Sequence, residues 1–204
     1  MLSSTVPRQS LHSSRVRNIK RYVPAPAQKS FRGKVFMTNA QGRDFLLRNN
    51  LEPDNGKMPV FAPNNSVKKL TNTASISLGF SPSYFIHPFD LIYFDAKGHP
   101  LAAMTRSRYM RKIRDESLWL MMTSVTVQSP VVRNVARSRL IIALHEHLKA
   151  RGYTLAPGRG PDREIRGTLW IINHNPAVSL NISADDFGSE IAQALDKAHG
   201  RQII

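Results

Sequence analysis

Cysteine is absent from this chain of 204 residues, and acidic residues are scarce. The lack of thiols excludes disulfides and every zinc site that is built on thiolates. Only 14 Asp and Glu face 29 Lys and Arg, so the formal net charge is +15. Such an excess is typical of proteins that meet nucleic acid or, less often, an anionic membrane surface. No uninterrupted run of about 18 apolar residues occurs, which argues against a membrane-spanning helix.

Acidic residues are missing altogether from positions 1–43, where nine residues are basic. The start MLSSTVPRQSLHSSRVRNIKR is rich in Arg and Ser, which is the composition of a mitochondrial transit peptide. A permanent basic arm that binds RNA is the rival interpretation, and a tail without a role is the third. We therefore predict a basic arm or presequence over 1–30 and a mitochondrial-matrix address. The charges of this segment that we expect to contact RNA are Arg15, Arg17, Lys20 and Arg21.

The segment RSRYMRKIRDESLWLMM (106–122) places five positive charges directly before an apolar run. On a helix, one stripe is apolar and the other side is basic. The stripe holds Tyr109, Met110, Ile113 and Leu120, and the other side holds Arg108, Arg111, Lys112 and Arg114. The end of this helix stays open, because residues 118–128 also have the composition of a strand.

A long helix is predicted from Ser129, since Ser is a good N-cap and Pro130 fits the first helical position. Gly152 is a natural end for it. Apolar residues cover most of its circumference, so we expect it to be well buried. Further helices are predicted over 42–50 and 183–200, and two strands over 153–173 around a basic loop.

Two segments are predicted to lack helices. Residues 52–75 are rich in Pro and Asn and indicate an irregular loop. Residues 90–105 indicate a β-hairpin that turns at AKGH. The order of elements predicts an α+β fold, with a small, mostly antiparallel sheet packed against two or three helices in a single domain over 31–204.

The best chemical signals are clusters of basic residues. Arginine makes bidentate contacts to phosphate, and the glycines of APGRGPDREIR (156–166) let a backbone approach it closely. Few aromatic residues accompany these charges, which favours contact with the nucleic-acid backbone over base stacking. Beyond the arm, the predicted RNA-binding residues are Arg106, Arg108, Arg111, Lys112, Arg114, Arg133, Arg137, Arg159, Arg163 and Arg166.

Catalytic motifs are not visible in the sequence: it has no GxSxG, no Walker A loop and no GxGxxG. His145 and His147 are two residues apart on a predicted helix, so they point away from each other and cannot share a metal. We therefore expect no enzyme activity, no cofactor, no metal and no small-molecule substrate.

The Arg/Ser start, the dispersed Arg and Lys clusters, the absence of cysteine and the compact α+β body resemble a fungal-type mitochondrial ribosomal protein. The resemblance implies a structural protein that lies against ribosomal RNA and neighbouring ribosomal proteins. Two other hypotheses stay open. One is a free mitochondrial RNA-binding factor for RNA maturation or translational activation, and the other is an enzyme whose site is assembled from dispersed residues.

Overall fold

The structure is a computed structural model that describes residues 37–125, 128–154 and 163–200, apart from the side chains of 199 and 200. The described residues divide into two compact units, 37–57 with Phe85–Arg106, and Met58–Tyr84 with the described part of 107–200. We call them the first and the second unit. The division predicted from the sequence, an arm over 1–30 and one domain over 31–204, stays a prediction, because residues 1–36 lie outside the described part.

Helices dominate both units, and the predicted α+β class is confirmed. The helices are α1 (Ala40–Arg48), α2 (Asn65–Ala74), α3 (Ala102–Asp115), α4 (Pro130–Ala150), α5 (Pro176–Ser179) and α6 (Ala184–Gly200), with 3-10 segments at Asn55–Lys57 and Pro88–Phe94. The strands are β1 (Leu51–Glu52), β2 (Ile76–Ser81), β3 (Tyr84–Phe85), β4 (Leu118–Ser124), β5 (Tyr153–Thr154), β6 (Arg163–Glu164) and β7 (Gly167–Asn173). None of the helices in these ranges has the length and apolar content needed to cross a bilayer.

The main sheet of the second unit has the strand order β2-β7-β4. Strand β2 runs antiparallel to β7, whereas β4 runs parallel to it. Parallel neighbours need a crossover connection, and α4 lies in the chain between β4 and β7. The sheet is therefore mixed rather than mostly antiparallel, because a helix and not a hairpin joins two of its three strands.

The core of the second unit lies between this sheet and the helices α2, α4 and α6. Each helix contributes a stripe of buried apolar residues that faces the sheet. The largest contributions are Leu140, Leu144 and Leu148 of α4, Phe187, Ile191 and Leu195 of α6, and Leu169 and Ile171 of β7.

Helix α4 begins where the sequence predicts it. The Ser129 hydroxyl accepts a hydrogen bond from the Val132 amide at 3.4 Å, and Pro130 occupies the first turn. Gly152, just beyond the end, has a φ of 78°. The expected burial is wrong for one face, since Val131 is 70% exposed and Ile142 is 55% exposed.

The prediction of a loop over 52–75 is wrong for its second half, which forms α2. Asn64 is the N-cap of this helix, and its side-chain oxygen accepts from the Val67 amide at 2.7 Å. Asparagine is common in loops and is also among the best N-caps of helices, so the asparagine content of this segment does not distinguish a loop from a helix start.

The prediction of a hairpin over 90–105 is also wrong. Its first part is the 3-10 segment Pro88–Phe94 and its last part begins α3. The turn between them is real, because the Gly98 amide donates to the Asp95 carbonyl at 2.9 Å. Ala102 and Ala103 favour a helix over a returning strand.

The first unit has its own small core. The rings of Phe45 and Phe94 stack with centroids 5.9 Å apart, and Leu46, Leu51 and Leu91 are buried. Helix α1 confirms the helix predicted over 42–50, and the Asn39 side chain caps it by accepting from the Gly42 amide at 2.7 Å.

Candidate nucleic-acid interface

Helix α3 turns one side toward strand β4. Tyr109 is 3% exposed, and its ring centroid lies 5.6 Å from that of Trp119. Tyr84 lies on the same ring at 4.6 Å. This aromatic cluster orients the second half of α3, and it decides which of the predicted basic residues face solvent.

The predicted division of α3 into an apolar stripe and a charged side is wrong at three positions. Met110 is 48% exposed, and Leu120 lies on β4 because the helix ends at Asp115. Lys112 belongs to the buried side of α3 rather than to its charged face. Its ammonium lies 4.7 Å from the centroid of the Trp119 ring. The same ammonium is 3.7 Å from a Glu116 carboxylate oxygen, and 26% of the side chain is exposed. A cation over an indole face is attracted to the ring, so Lys112 is held by protein contacts.

The other basic residues of α3 differ in how their charge is compensated. Arg114 pairs with Asp115 at 2.9 Å, and the hydrogen bond and charge of that carboxylate raise the pKa of Arg114. The guanidinium of Arg108 lies 5.7 Å from the Tyr109 ring centroid. Arg111 is exposed and, among the described residues, forms no ion pair. Arg106, at the end of the first unit, is half-buried.

The arginines around β6 are paired with carboxylates. Arg163 lies 3.1 Å from Asp196, and its guanidinium is 5.7 Å from the Tyr153 ring centroid. Arg166 lies 3.1 Å from Glu164, whose hydrogen bond and charge raise the pKa of Arg166. Both side chains are thus partly neutralised, which weakens their attraction for phosphate.

Several predicted contacts lie outside the described residues. These are the glycine-rich loop and the basic residues Arg15, Arg17, Lys20, Arg21 and Arg159.

The first four turns of α4 carry positive charge without an acid. Arg133 is half-buried and Arg137 is exposed, and a spacing of four residues brings them to the same side of the helix. The first carboxylate of α4 is Glu146, near its far end. Arg139 is anchored differently, because its Nη1 donates to the Leu180 carbonyl at 2.7 Å.

Among the described arginines that were predicted to bind RNA, those without an ion pair or a ring contact are the half-buried Arg106, Arg111 on α3, and Arg133 and Arg137 on α4. Guanidinium groups make bidentate, charge-assisted hydrogen bonds to phosphate oxygens. Because no aromatic residue stacks beside Arg133 or Arg137 within the described ranges, the arrangement suits the sugar–phosphate backbone rather than exposed bases.

Two histidine contacts could not be predicted from the sequence, because each joins residues that are far apart in the chain. His147 Nε2 lies 2.7 Å from Asp185 at the start of α6, and His174 Nε2 lies 2.8 Å from the Ser77 hydroxyl. His145 is half-buried, and burial lowers its pKa. Across 37–125, 128–154 and 163–200, no cluster of three or more His, Asp or Glu is placed to hold a metal ion.

Comparison of the chain with protein-family models, with curated proteins and with solved structures found no match.

Proposed function

We propose that the chain is a structural RNA-binding component of the mitochondrial ribosome that contacts rRNA phosphates and neighbouring proteins. The observation that carries the proposal is the pair Arg133 and Arg137, which share one side of α4 in a stretch without carboxylates. An ionised arginine with no acid nearby keeps its full attraction for phosphate.

Charge distribution supports an extended polyanion as the partner. The net charge is +15, and positions 1–43 contain nine basic residues and no acid. A segment with that composition is expected to bind phosphates along a path rather than at one point, releasing counterions as it does so. Long RNA meets this requirement, whereas a small anion does not.

The mitochondrial part of the proposal depends on the Arg/Ser-rich start. A reporter fused to residues 1–30 tests it: mitochondrial fluorescence is expected, and a diffuse cytosolic signal contradicts this address. The RNA-binding part does not depend on the result, because the α4 arginines lie outside that segment.

Sedimentation of the tagged chain through sucrose gradients tests the ribosomal part. A structural component is expected to co-migrate with one ribosomal subunit and to stay with it when EDTA separates the subunits. A chain that runs in the light fractions at physiological salt is a free RNA-binding factor, and that outcome overturns the ribosomal assignment.

Two double variants test whether the α4 arginines hold the protein in the heavy fractions of the gradient. Arg133→Ala with Arg137→Ala is expected to move protein from the heavy to the light fractions. Arg163→Ala with Arg166→Ala removes the same charge from side chains that carboxylates already compensate, so we expect a smaller shift. Equal shifts contradict the role given to α4.

A further inference from the structure

Helix α4 carries apolar residues on two faces, and only one of them lies in the core. Leu140 and Leu144 are 1% and 0% exposed, whereas Val131, Val135 and Ile142 are 70%, 45% and 55% exposed. A helix at a protein surface normally keeps a single apolar stripe, and one that is apolar all round is normally covered. The second stripe is thus an unpartnered helix face within the described residues.

A groove runs along this face, between α4 and the first turn of α6. Its volume is about 580 Å³. Val135, Ile142, Ala143 and Ala184 form its apolar lining. Its charged residues are Arg139, Glu146 and Asp185, of which Asp185 is paired with His147 and Arg139 also donates to the Leu180 carbonyl. The small residues Ala143 and Ala184 in this lining leave room for the side chains of another helix.

Two of these charges, Arg139 and Glu146, belong to α4, have opposite signs and flank Ile142. Arg139 precedes Ile142 by one turn and Glu146 follows it by one turn, so all three lie on the same side of α4. Suppose that a second copy of α4 packs antiparallel to the first, with a two-fold axis beside Ile142. Each Arg139 then lies opposite the Glu146 of the other copy. The same axis brings the two Ile142 side chains together.

We propose that a second copy of this chain occupies the groove, with the two α4 helices antiparallel about Ile142. Side-chain fit and charge specify the same register. The Ile142 side chains of the two copies meet beside the small Ala143. On either side of that contact, the Arg139 of one copy pairs with the Glu146 of the other. A parallel pairing brings like charges together, which is unfavourable. The proposal goes beyond RNA binding and does not depend on it.

The interface is expected to be modest in size, because one helix and part of a groove form each side. Interfaces at the low end of the usual range give weak association. The full-length chain is therefore expected to change from monomer to dimer as its concentration rises from about 1 to about 100 μM in analytical ultracentrifugation, which corresponds to micromolar affinity.

Because the chain contains no cysteine, a single introduced thiol reports on register. Ile142→Cys places two thiols beside the proposed axis, and mild oxidation is expected to give a covalent dimer. Val131→Cys is the matched control on the same exposed face. In the antiparallel arrangement its two copies lie about 33 Å apart along the helices, so no cross-link is expected.

Charge reversal distinguishes this register from unspecific apolar contact. Arg139→Glu alone and Glu146→Arg alone each set like charges opposite one another, and each is expected to weaken dimerisation at least tenfold. The double variant Arg139→Glu with Glu146→Arg restores opposite charges and is expected to recover most of the affinity.

Two outcomes overturn the proposal. A full-length chain that stays monomeric up to about 100 μM, well above micromolar affinity, has no second copy in the groove. If the Ile142→Cys thiol is then unreactive, another part of the same chain covers the face; if it reacts fast, the face is open. Cross-linking through Val131→Cys but not Ile142→Cys indicates parallel helices and contradicts the register.

Discussion

The ammonium of Lys112 lies 4.7 Å from the centroid of the Trp119 ring, so this lysine is part of the packing between α3 and β4. Its neighbour Arg111 is exposed. We expect Lys112→Ala to lower the free energy of unfolding by about 0.5–2 kcal/mol, through loss of the cation–π contact and of the stem that covers the ring. Urea denaturation followed by tryptophan fluorescence measures the change.

Arg111→Ala is the matched control for Lys112→Ala. An exposed side chain without an ion pair contributes little to folding, so we expect a stability change within about 0.5 kcal/mol. For RNA affinity we expect the opposite: Arg111→Ala weakens binding more than Lys112→Ala does. Equal losses of RNA affinity in the two variants contradict the separate roles.

The arginines of α4 are expected to bind phosphate without reading sequence. Arg133→Ala and Arg137→Ala each remove one phosphate contact, so the slope of log affinity against log salt is expected to fall by about one unit per variant. Filter binding to two unrelated RNAs between about 50 and 200 mM salt measures it. A loss confined to one RNA indicates base recognition and contradicts the assignment.

Capped helices and the α+β class could be predicted from the sequence because their signals are local. Ser129 and Pro130 mark the start of α4 within two positions. Asn64 belongs to the same kind of signal but was misread, because asparagine is common both in loops and at N-caps.

The candidate site could be predicted only in part, because charge compensation depends on how the chain folds. Asp196, the partner of Arg163, is far away in the sequence. Trp119 is only seven residues beyond Lys112, but the contact forms because α3 ends and β4 packs beside it. Sequence thus indicates how much positive charge a segment carries, and tertiary contacts decide how much of it stays available to phosphate.

The buried stripe of α4 should control the stability of the second unit. Leu140 and Leu144 are 1% and 0% exposed, so Leu→Ala at either position is expected to cost about 2–5 kcal/mol. Val131→Ala, at a site that is 70% exposed, is expected to change stability by less than about 0.5 kcal/mol. Thermal unfolding at low protein concentration measures all three, and similar values for them contradict the assignment of the core face.

Gly188 fixes the distance between α4 and α6. A Cβ at this position meets the Ala143 carbonyl oxygen at 2.6 Å, so Gly188→Ala forces the helices apart, and we expect a loss of about 1–3 kcal/mol. At Gly79 the nearest atom to a Cβ is in the flexible Met58 side chain, at 2.5 Å. Gly79→Ala is therefore expected to lower the free energy of unfolding by less than Gly188→Ala does. If chemical denaturation shows a larger loss for Gly79→Ala, the close contact between α4 and α6 is wrong.

Tyr153 couples the end of α4 to α6, because its hydroxyl donates to an Asp196 carboxylate. Burial, followed by the hydrogen bond and the charge of Asp196, raises the pKa of Tyr153 from 10.0 to about 12. The unfolded chain therefore releases the phenolic proton at lower pH than the folded chain does. The stability from this group is complete below pH 10 and is lost as the pH rises toward about 12.

Denaturation midpoints of the wild type and of Tyr153→Phe, measured from neutral pH to about pH 12, test this linkage. The wild type is expected to lose stability more steeply above pH 10, because the variant has no phenol to ionise at position 153. Phenolate absorbance of the folded proteins, compared by difference, is expected to show one tyrosine that titrates late. Parallel stability curves, together with a difference titration that shows no late phenolate at position 153, would mean that Asp196 does not hold this hydroxyl.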